Sequence, residues 1–285
     1  MTALRQRMVE DMRLRNFSPH TEAAYVRAVA GFARHFDKSP EQLTGEDARQ
    51  YLLHLIQNQK ASVSLYNITR CALQFFYGIT LGRDERFDHL PCARERKRLP
   101  VVLSKEELQR FFVVIRNTKH RAMFMTSYGA GLRVSELVSL KASDIDSARM
   151  LIRIRCGKGQ KDRYAKLSAH LLAVLRDYYK RCKPGDVLFP GSDRNRPMGR
   201  LVVNALARKI AVKAGIGKRV SSHTFRHSYA THMLDAGADL RTIQVLLGHR
   251  NIKSTAIYMH VSQAKIDSAP SPLDLMYPAS KPPTP

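Results

Sequence analysis

Apolar residues recur at helical spacing in the first third of the chain. Ser18 and Pro19 form a typical N-cap and first-turn pair, and one face of the segment that follows is apolar. That face comprises Tyr25, Val29, Phe32, Ala33 and Phe36. The pattern predicts a helix that begins after Ser18 and packs this face into a core. A preceding helix is predicted over about residues 2–15.

Two further helices are predicted before residue 84. One begins after Thr44, because Asp47 lies three residues on and completes a capping box; its apolar residues are Ala48, Tyr51, Leu52, Leu55 and Ile56. The other follows Ser62, and its predicted buried face comprises Leu65, Ile68, Ala72, Phe75, Phe76 and Ile79. Residues 1–83 are therefore predicted to form a small bundle of about four helices.

Residues 84–100 interrupt the helical pattern and are predicted to form a linker. They are polar, contain Pro91 and Pro100, and include a dense group of cations. The cations are Arg94, Arg96, Lys97 and Arg98. A run of like charges is usually solvated and irregular.

Beyond residue 100 the pattern is again helical. Ser104 and Glu107 form a second capping box, and later helices are predicted near Ser168 and Gly199 and over residues 221–236 and 239–247. The last stretch, residues 266–285, contains six prolines and is expected to be extended or disordered.

One segment departs from helical spacing. Ile152 and Ile154 alternate with arginines, a glycine-rich turn follows at residues 157–160, and residues 163–167 fit a returning strand. The alternation predicts a β-hairpin with a lysine at its tip.

The charge balance favours nucleic acid as the partner. The 285 residues include 48 Lys and Arg against 24 Asp and Glu, a formal net charge of +24, and such a field attracts a polyanion. The cations of the linker are then predicted to contact phosphates. An anionic membrane would attract the same charge, but the longest uncharged stretch, residues 71–82, falls short of the roughly 18 apolar residues that span a bilayer.

The cysteines indicate a reducing compartment. The four of them include no C-x-x-C pair, which argues against a zinc ribbon and a disulfide framework. We expect a cytoplasmic protein that is associated with the nucleoid when bound to DNA.

Six polar residues after the linker form a set suited to chemistry at a phosphodiester. They are Arg133, Lys158, His223, Arg226, His249 and Tyr258. In-line displacement spreads negative charge over the non-bridging oxygens, and fixed donors aimed there stabilise the transition state. Arg133 and Arg226 are predicted to be these donors, because a guanidinium makes paired charge-assisted hydrogen bonds and stays ionised.

The remaining members of the set suit proton transfer. Tyr258 is the predicted nucleophile, although its phenol, with a reference pKa of about 10, must lose a proton as it attacks. The departing 5′-oxygen needs a proton, and Lys158 on the hairpin tip is the predicted general acid. His223 and His249 are predicted to donate to the phosphate or to relay the tyrosine proton.

The segments that carry these residues resemble the signature boxes of the tyrosine recombinase (phage integrase) family, above all its short Xer-type and transposon-associated members. The boxes are Gly131–Leu137, Gly157–Gly159, His223–His232, Leu246–His249 and Tyr258. Their order, Arg, Lys, His-x-x-Arg, His and Tyr, matches the family set at all six positions. The resemblance extends over nearly the whole chain and is weakest in residues 1–83.

The resemblance implies a mainly α fold with a small β-hairpin or sheet in the catalytic domain, built as a two-domain C-shaped clamp around duplex DNA. The implied parts are a helical, SAM-like core-binding domain (1–83), a basic linker (84–100), a catalytic domain (101–265) and a Pro-rich tail (266–285). The implied reaction cleaves and rejoins DNA through a 3′-phosphotyrosine on Tyr258, without a metal or another cofactor.

The resemblance also implies an assembly. Four protomers act on two DNA sites and exchange strands through a four-way junction. The event itself is left open between integration, as in the transposition of a mobile element, excision and dimer resolution, and so is the need for a partner recombinase or accessory protein. The Pro-rich tail leaves little room for the long C-terminal helix with which many relatives dock into a neighbouring subunit. Lys161 and Arg163 join the linker cations as predicted DNA contacts.

Other functions stay open at this point. A type IB topoisomerase uses a similar set of residues, and a degenerate relative would bind DNA without cutting it. A metal-dependent nuclease would chelate Mg²⁺ through Asp144 and Asp146. His223 and His227 stand one turn apart, as zinc ligands do, but the Glu of a zincin motif and a clear third ligand are missing. We interpret His227, His232 and His260 as structural or solvent-facing.

Overall fold

A computed structural model describes residues 2–83, 90–93, 99–155, 162–249 and 251–260. The chain divides into two compact units, Met1–Lys97 and Arg98–Pro285, each with a hydrophobic core. The basic run of the linker, the hairpin tip and the tail predicted over residues 266–285 lie outside the described residues. Among the residues described, no helix is long and apolar enough to cross a membrane.

The first unit is the predicted helical bundle. Its α-helices are α1 (Ala3–Leu14), α2 (Pro19–Phe36), α3 (Gly45–Gln57) and α4 (Val63–Phe75). They begin after N-caps at Thr2, Ser18, Thr44 and Ser62, whose side chains accept hydrogen bonds from backbone N–H groups. The predicted capping box between Thr44 and Asp47 is confirmed, so the helix starts follow from local chemistry.

The buried face of α4 differs from the predicted one. Leu65, Ile68 and Ile79 are exposed, whereas Tyr66 and Tyr77 are buried and donate their hydroxyls to backbone carbonyls of Pro91 and Pro40. A tyrosine buries a large ring when its hydroxyl finds a partner. Past Phe75 the helix also widens into a π-helical turn, Phe76–Thr80, which shifts the register of later residues.

The second unit is mainly helical, as predicted. Its α-helices are α5 (Lys105–Val113), α6 (Thr118–Gly129), α7 (Val134–Val138), α8 (Ala169–Cys182), α9 (Arg200–Lys213), α10 (Ser222–Asp235), α11 (Leu240–Leu247) and α12 (Lys253–Ala256), and a 3-10 turn, Ile257–His260, follows α12. The capping box at Ser104 and Glu107 is confirmed. The mainly α fold of two domains is therefore confirmed.

The predicted hairpin belongs to a small antiparallel sheet with the strand order β1 (Ile145–Asp146), β2 (Leu151–Ile154) and β3 (Arg163–Lys166). Ile152 pairs with Ala165, and Ile154 pairs with Arg163. The sequence did not predict β1, because two residues are too few to show an alternating pattern.

Helix α10 is the element around which the second unit is packed. It contacts α6, α9, α11 and the 3-10 turn after α12. The ring of Phe225 lies 5.0 Å from that of Phe111 on α5 and 5.3 Å from that of Phe124 on α6. These contacts fix the helix that carries His223, Arg226 and His227.

Gly131, in the loop between α6 and α7, allows a close approach between that loop and two helices. Its φ is +60°, and a Cβ there would lie 2.6 Å from Cδ1 of Tyr229 and 2.9 Å from Cδ2 of Leu247. The absence of a side chain therefore sets how closely the loop that leads to Arg133 approaches α10 and α11.

We expect Gly131→Ala to lower the free energy of unfolding more than Gly215→Ala does. Both glycines are left-handed, at φ +60° and +66°, so each alanine costs about 1–2 kcal/mol of backbone strain. No described atom lies within 4 Å of a Cβ at Gly215, whereas at Gly131 overpacking adds about 1–3 kcal/mol. Urea unfolding measures both variants, and equal losses would show that the neighbours of Gly131 yield freely.

Candidate active site

Tyr258 lies in the 3-10 turn Ile257–His260 and is only 2% exposed. Its Oη is 3.2 Å from Nδ1 of His227 on α10. Its ring is nearly parallel to that of His249, with centroids 6.4 Å apart and an interplanar angle of 14°. The turn after α12 thus brings the phenol against α10 and against the residue that follows the end of α11.

Two arginines are anchored beside the tyrosine by backbone carbonyls. Arg226 is 3% exposed, and its guanidinium donates to Gly131 O and Leu247 O, each at 2.7 Å. Arg133, at the N-cap of α7, donates to Gly248 O at 3.3 Å. The last carbonyls of a helix have no partner within it, so the C-terminal end of α11 is a natural acceptor for these cations.

Glu136 on α7 balances this group of cations. It is 5% exposed and accepts hydrogen bonds from Arg133 Nη1 at 2.7 Å, from the Arg133 backbone N–H at 2.8 Å and from Arg163 Nη2 at 2.7 Å. Arg226 Nη1 lies 3.7 Å away. Burial alone would raise the pKa of Glu136, but the charges of Arg163 and Arg226 and the bonds from Arg133 outweigh it and lower that pKa.

The structure places Arg163 inside the fold rather than on a free DNA-binding surface, which corrects the prediction made for it. Its side chain is largely buried and donates to Leu246 O and to Glu136. The sheet accounts for this placement: Arg163 pairs with Ile154, which is buried, and paired residues of adjacent strands share one face.

The two predicted histidines lie close to the arginines. Burial and the charges of Arg226 and Arg133 lower the pKa of His249 to about 4 and also lower that of His223. His249 Nδ1 is 2.9 Å from Thr255 Oγ1, which orients the ring against the tyrosine. Both histidines are therefore neutral at pH 7 in the free protein.

Proton affinities around Tyr258 also favour neutral groups. Burial raises the pKa of Tyr258, although Arg226 and Arg133 act in the opposite direction. Burial, His223 and Arg226 lower the pKa of His227 to about 4. At pH 7 the site thus contains a protonated phenol bonded to a neutral imidazole.

Comparison with known proteins decides the identity of this fold. Residues 101–265 match the phage integrase family, and residues 4–85 match the N-terminal SAM-like domain of phage integrases. The chain belongs to the tyrosine recombinase (phage integrase) family.

Relatives support the same conclusion over almost the full chain. The recombinase is 45% identical to a candidate integrase/recombinase, y4qK, of Sinorhizobium fredii, across 99% of this chain and 92% of that one. It is 37% identical to the tyrosine recombinase XerA of Thermococcus onnurineus, across 86% of each. It is therefore a site-specific tyrosine recombinase, an enzyme that cleaves and rejoins DNA.

Solved structures share the fold. A crystal structure of the XerA recombinase is 28% identical, with a TM-score of 0.54 and 99% of both chains covered. The XerH site-specific recombinase bound to its palindromic difH substrate has a TM-score of 0.71 at 20% identity, over 93% of this chain and 83% of that one.

Five of the six predicted site residues of the recombinase lie together, and the sixth lies outside the described residues. Those together are Arg133, His223, Arg226, His249 and Tyr258. Lys158 and the predicted DNA contacts Arg94, Arg96, Lys97, Arg98 and Lys161 belong to segments that the structure does not describe. The sequence interpretation gave no role to His227, whose position one turn after His223 was the available signal.

The carboxylates considered for a metal-dependent nuclease are engaged within the fold. Asp144 is buried and accepts hydrogen bonds from Arg155 Nε at 2.6 Å and from the Lys141 backbone N–H. Asp146 accepts from the backbone N–H groups of the tight turn that follows it. These hydrogen bonds give both carboxylates a structural role.

We expect Glu136→Gln to lower the free energy of unfolding by about 3–5 kcal/mol at pH 7, because it removes the anion from a buried group of cations. The folded-state pKa of Glu136 lies below its unfolded value, so its contribution is complete above the unfolded pKa and is lost as the pH falls towards the folded one. Urea titrations of wild type and variant should thus differ most near pH 7 and begin to converge as the pH falls below the unfolded pKa of about 4.

The matched control for this prediction is Asp177→Asn. Asp177 pairs with Arg181 on the exposed surface of α8, where an ion pair adds little to stability, so the variant should unfold almost as wild type does. A Glu136→Gln chain as stable as the control would show that the arginines do not depend on this carboxylate.

Proposed function

We propose that Tyr258 attacks a DNA phosphodiester and becomes joined to the 3′-phosphate, with Arg133, Lys158, His223, Arg226 and His249 completing the active site. The observation that carries this proposal is the convergence of the phenol with both arginines and both histidines around the C-terminal end of α11. Residues so far apart in sequence meet only if the fold brings them together, and their chemistry suits phosphoryl transfer.

The arginines are suited to bind the scissile phosphate. A guanidinium carries five N–H groups, and the contacts of Arg133 and Arg226 with Glu136 and backbone carbonyls engage only part of each set. The remaining donors are the proposed ligands of the non-bridging oxygens. Because the protein already fixes both side chains, little reorganisation is needed when negative charge develops.

The proposed reaction conserves the energy of the broken bond. As Tyr258 Oη bonds to phosphorus, the bond to the 5′-oxygen breaks and Lys158 supplies that oxygen with a proton. A 5′-hydroxyl of the partner strand then reverses the attack, so rejoining requires no nucleotide. A type IB topoisomerase would use the same chemistry, and the family of the chain favours site-specific recombination.

Duplex DNA is the proposed partner. Among the relatives, XerH was solved bound to difH DNA and the Tn1549 transposon integrase was solved with transposon right end DNA. The net charge of +24 supports the same partner. We further propose that four protomers assemble on two sites and exchange strands through a four-way junction, in the cytoplasm, with Arg94, Arg96, Lys97, Arg98 and Lys161 as added phosphate contacts.

We expect Tyr258→Phe to bind DNA as wild type does and to form no covalent adduct, because only the nucleophilic oxygen is removed. Wild type is first trapped on nicked DNA fragments. The sequence of the trapped DNA gives the site, and the modified peptide of the protein gives the attachment residue. Adduct formation is then followed on denaturing gels with EDTA present, and binding is followed by gel shift.

Tyr128→Phe is the control for this prediction. Tyr128 also bonds a histidine of α10, His232, at 2.9 Å, but it is no part of the proposed site, so this variant should form the adduct. An adduct with Tyr258→Phe would contradict the proposal.

A further inference from the structure

The hydroxyl of the proposed nucleophile, Tyr258, is hydrogen-bonded to His227, which is outside the six proposed catalytic residues. We propose that His227 is a further catalytic residue, which accepts the proton of Tyr258 through Nδ1 as the phenol oxygen attacks phosphorus. This role rests on the proposed function of Tyr258. It separates proton acceptance by His227 from phosphate binding by His223, one turn earlier on α10.

The geometry favours His227 over His223 as the acceptor. Nδ1 of His227 lies 3.2 Å from Tyr258 Oη, with ring centroids 5.6 Å apart, within the reach expected of a general base in a protein without its substrate. The His223 ring is centred 6.3 Å from that of His227, and His223 is more exposed than His227, a position suited to an incoming phosphate.

The surroundings of His227 keep its ring ready to accept a proton. The charged and titratable groups that face it are His223 and Arg226 on its own helix, Tyr258 from the 3-10 turn and His249 from the end of α11. Burial and the charges of His223 and Arg226 lower the pKa of His227 to about 4, so one ring nitrogen is free of a proton at pH 7. A bound phosphate would offset the charge of Arg226 and raise the proton affinity of the ring during the reaction.

The step balances without another reactant. The O–H bond of Tyr258 breaks and its proton passes to Nδ1 of His227 while the Oη–P bond forms. The P–O5′ bond breaks, and the departing oxygen takes a proton from the general acid on its own side, Lys158 in the proposed site. On rejoining, the protonated His227 returns its proton to the tyrosine as that oxygen leaves phosphorus.

The test replaces His227 by asparagine, because an amide oxygen can still accept a hydrogen bond from the phenol but does not bind a proton near neutral pH. The control is His232→Asn, on the same helix, where the ring bonds Tyr128 instead. Single-turnover adduct formation is measured on a nicked duplex that carries the recovered site. We expect His227→Asn to be slower by about 10²–10⁴-fold and the control to match wild type.

A second substrate shows on which side of phosphorus His227 acts. Sulfur in place of the bridging 5′-oxygen gives a leaving group that departs without a proton, since thiols are far more acidic than alcohols. Lys158→Ala should regain its rate on this substrate, whereas His227→Asn should stay slow on both. The rate of His227→Asn should also keep rising at alkaline pH, where the phenol ionises unaided, after that of wild type has levelled off.

Several outcomes would overturn the proposal. They are a wild-type rate and pH profile for His227→Asn, rescue of that variant by the sulfur substrate, or a loss of rate that a folding defect explains while His227→Gln, correctly folded, reacts normally. An adduct on a residue other than Tyr258 would instead remove the proposed function itself. Trapping wild type and sequencing the modified peptide separates the two cases.

Discussion

Three guanidinium groups are gathered around one buried carboxylate and one helix end, and the rest of the site depends on that arrangement. Arg133, Arg163 and Arg226 would repel one another if they were brought together alone. Glu136 and the unpaired carbonyls at the end of α11 accept their N–H groups, which offsets the repulsion. In the proposed site, this arrangement holds Arg133 and Arg226 in place before the phosphate binds.

The same contacts hold distant parts of the chain in register. Arg133 precedes α7, Arg163 opens β3 and Arg226 lies within α10, yet each donates to a carbonyl at the end of α11. Gly248 ends α11 in a left-handed conformation, and a Cβ there would lie 2.6 Å from Cδ of Arg163. The close approach of Arg163 to Gly248 and the hydrogen bonds of the arginines thus act together to hold the end of α11 in place. His249 follows this turn directly.

The features that were predicted correctly from the sequence are those that interactions between near neighbours determine. N-caps such as Ser18 and Ser104 and the alternation of Ile152 and Ile154 fixed where elements begin, because capping and strand alternation depend on near neighbours. The inward course of Arg163 and the shared carboxylate of Glu136 depend on how separate elements pack. In α4, the choice of tyrosines over leucine and isoleucine depended on carbonyls of residues distant along the chain. Spacing in a single segment does not encode such partners.

Burial of Tyr258 keeps its hydroxyl protonated in the free protein, and it also means that the proposed attack needs a proton acceptor. In the free protein the phenol stays protonated, since burial raises its pKa, so its oxygen is a weak nucleophile until a base accepts the proton. When a DNA phosphate binds, it partly neutralises the arginines that would otherwise stabilise a phenolate. The phenol therefore cannot rely on cations alone to lose its proton. A neutral acceptor already in contact with the hydroxyl resolves this conflict, because it takes up the proton while the arginines stay with the phosphate.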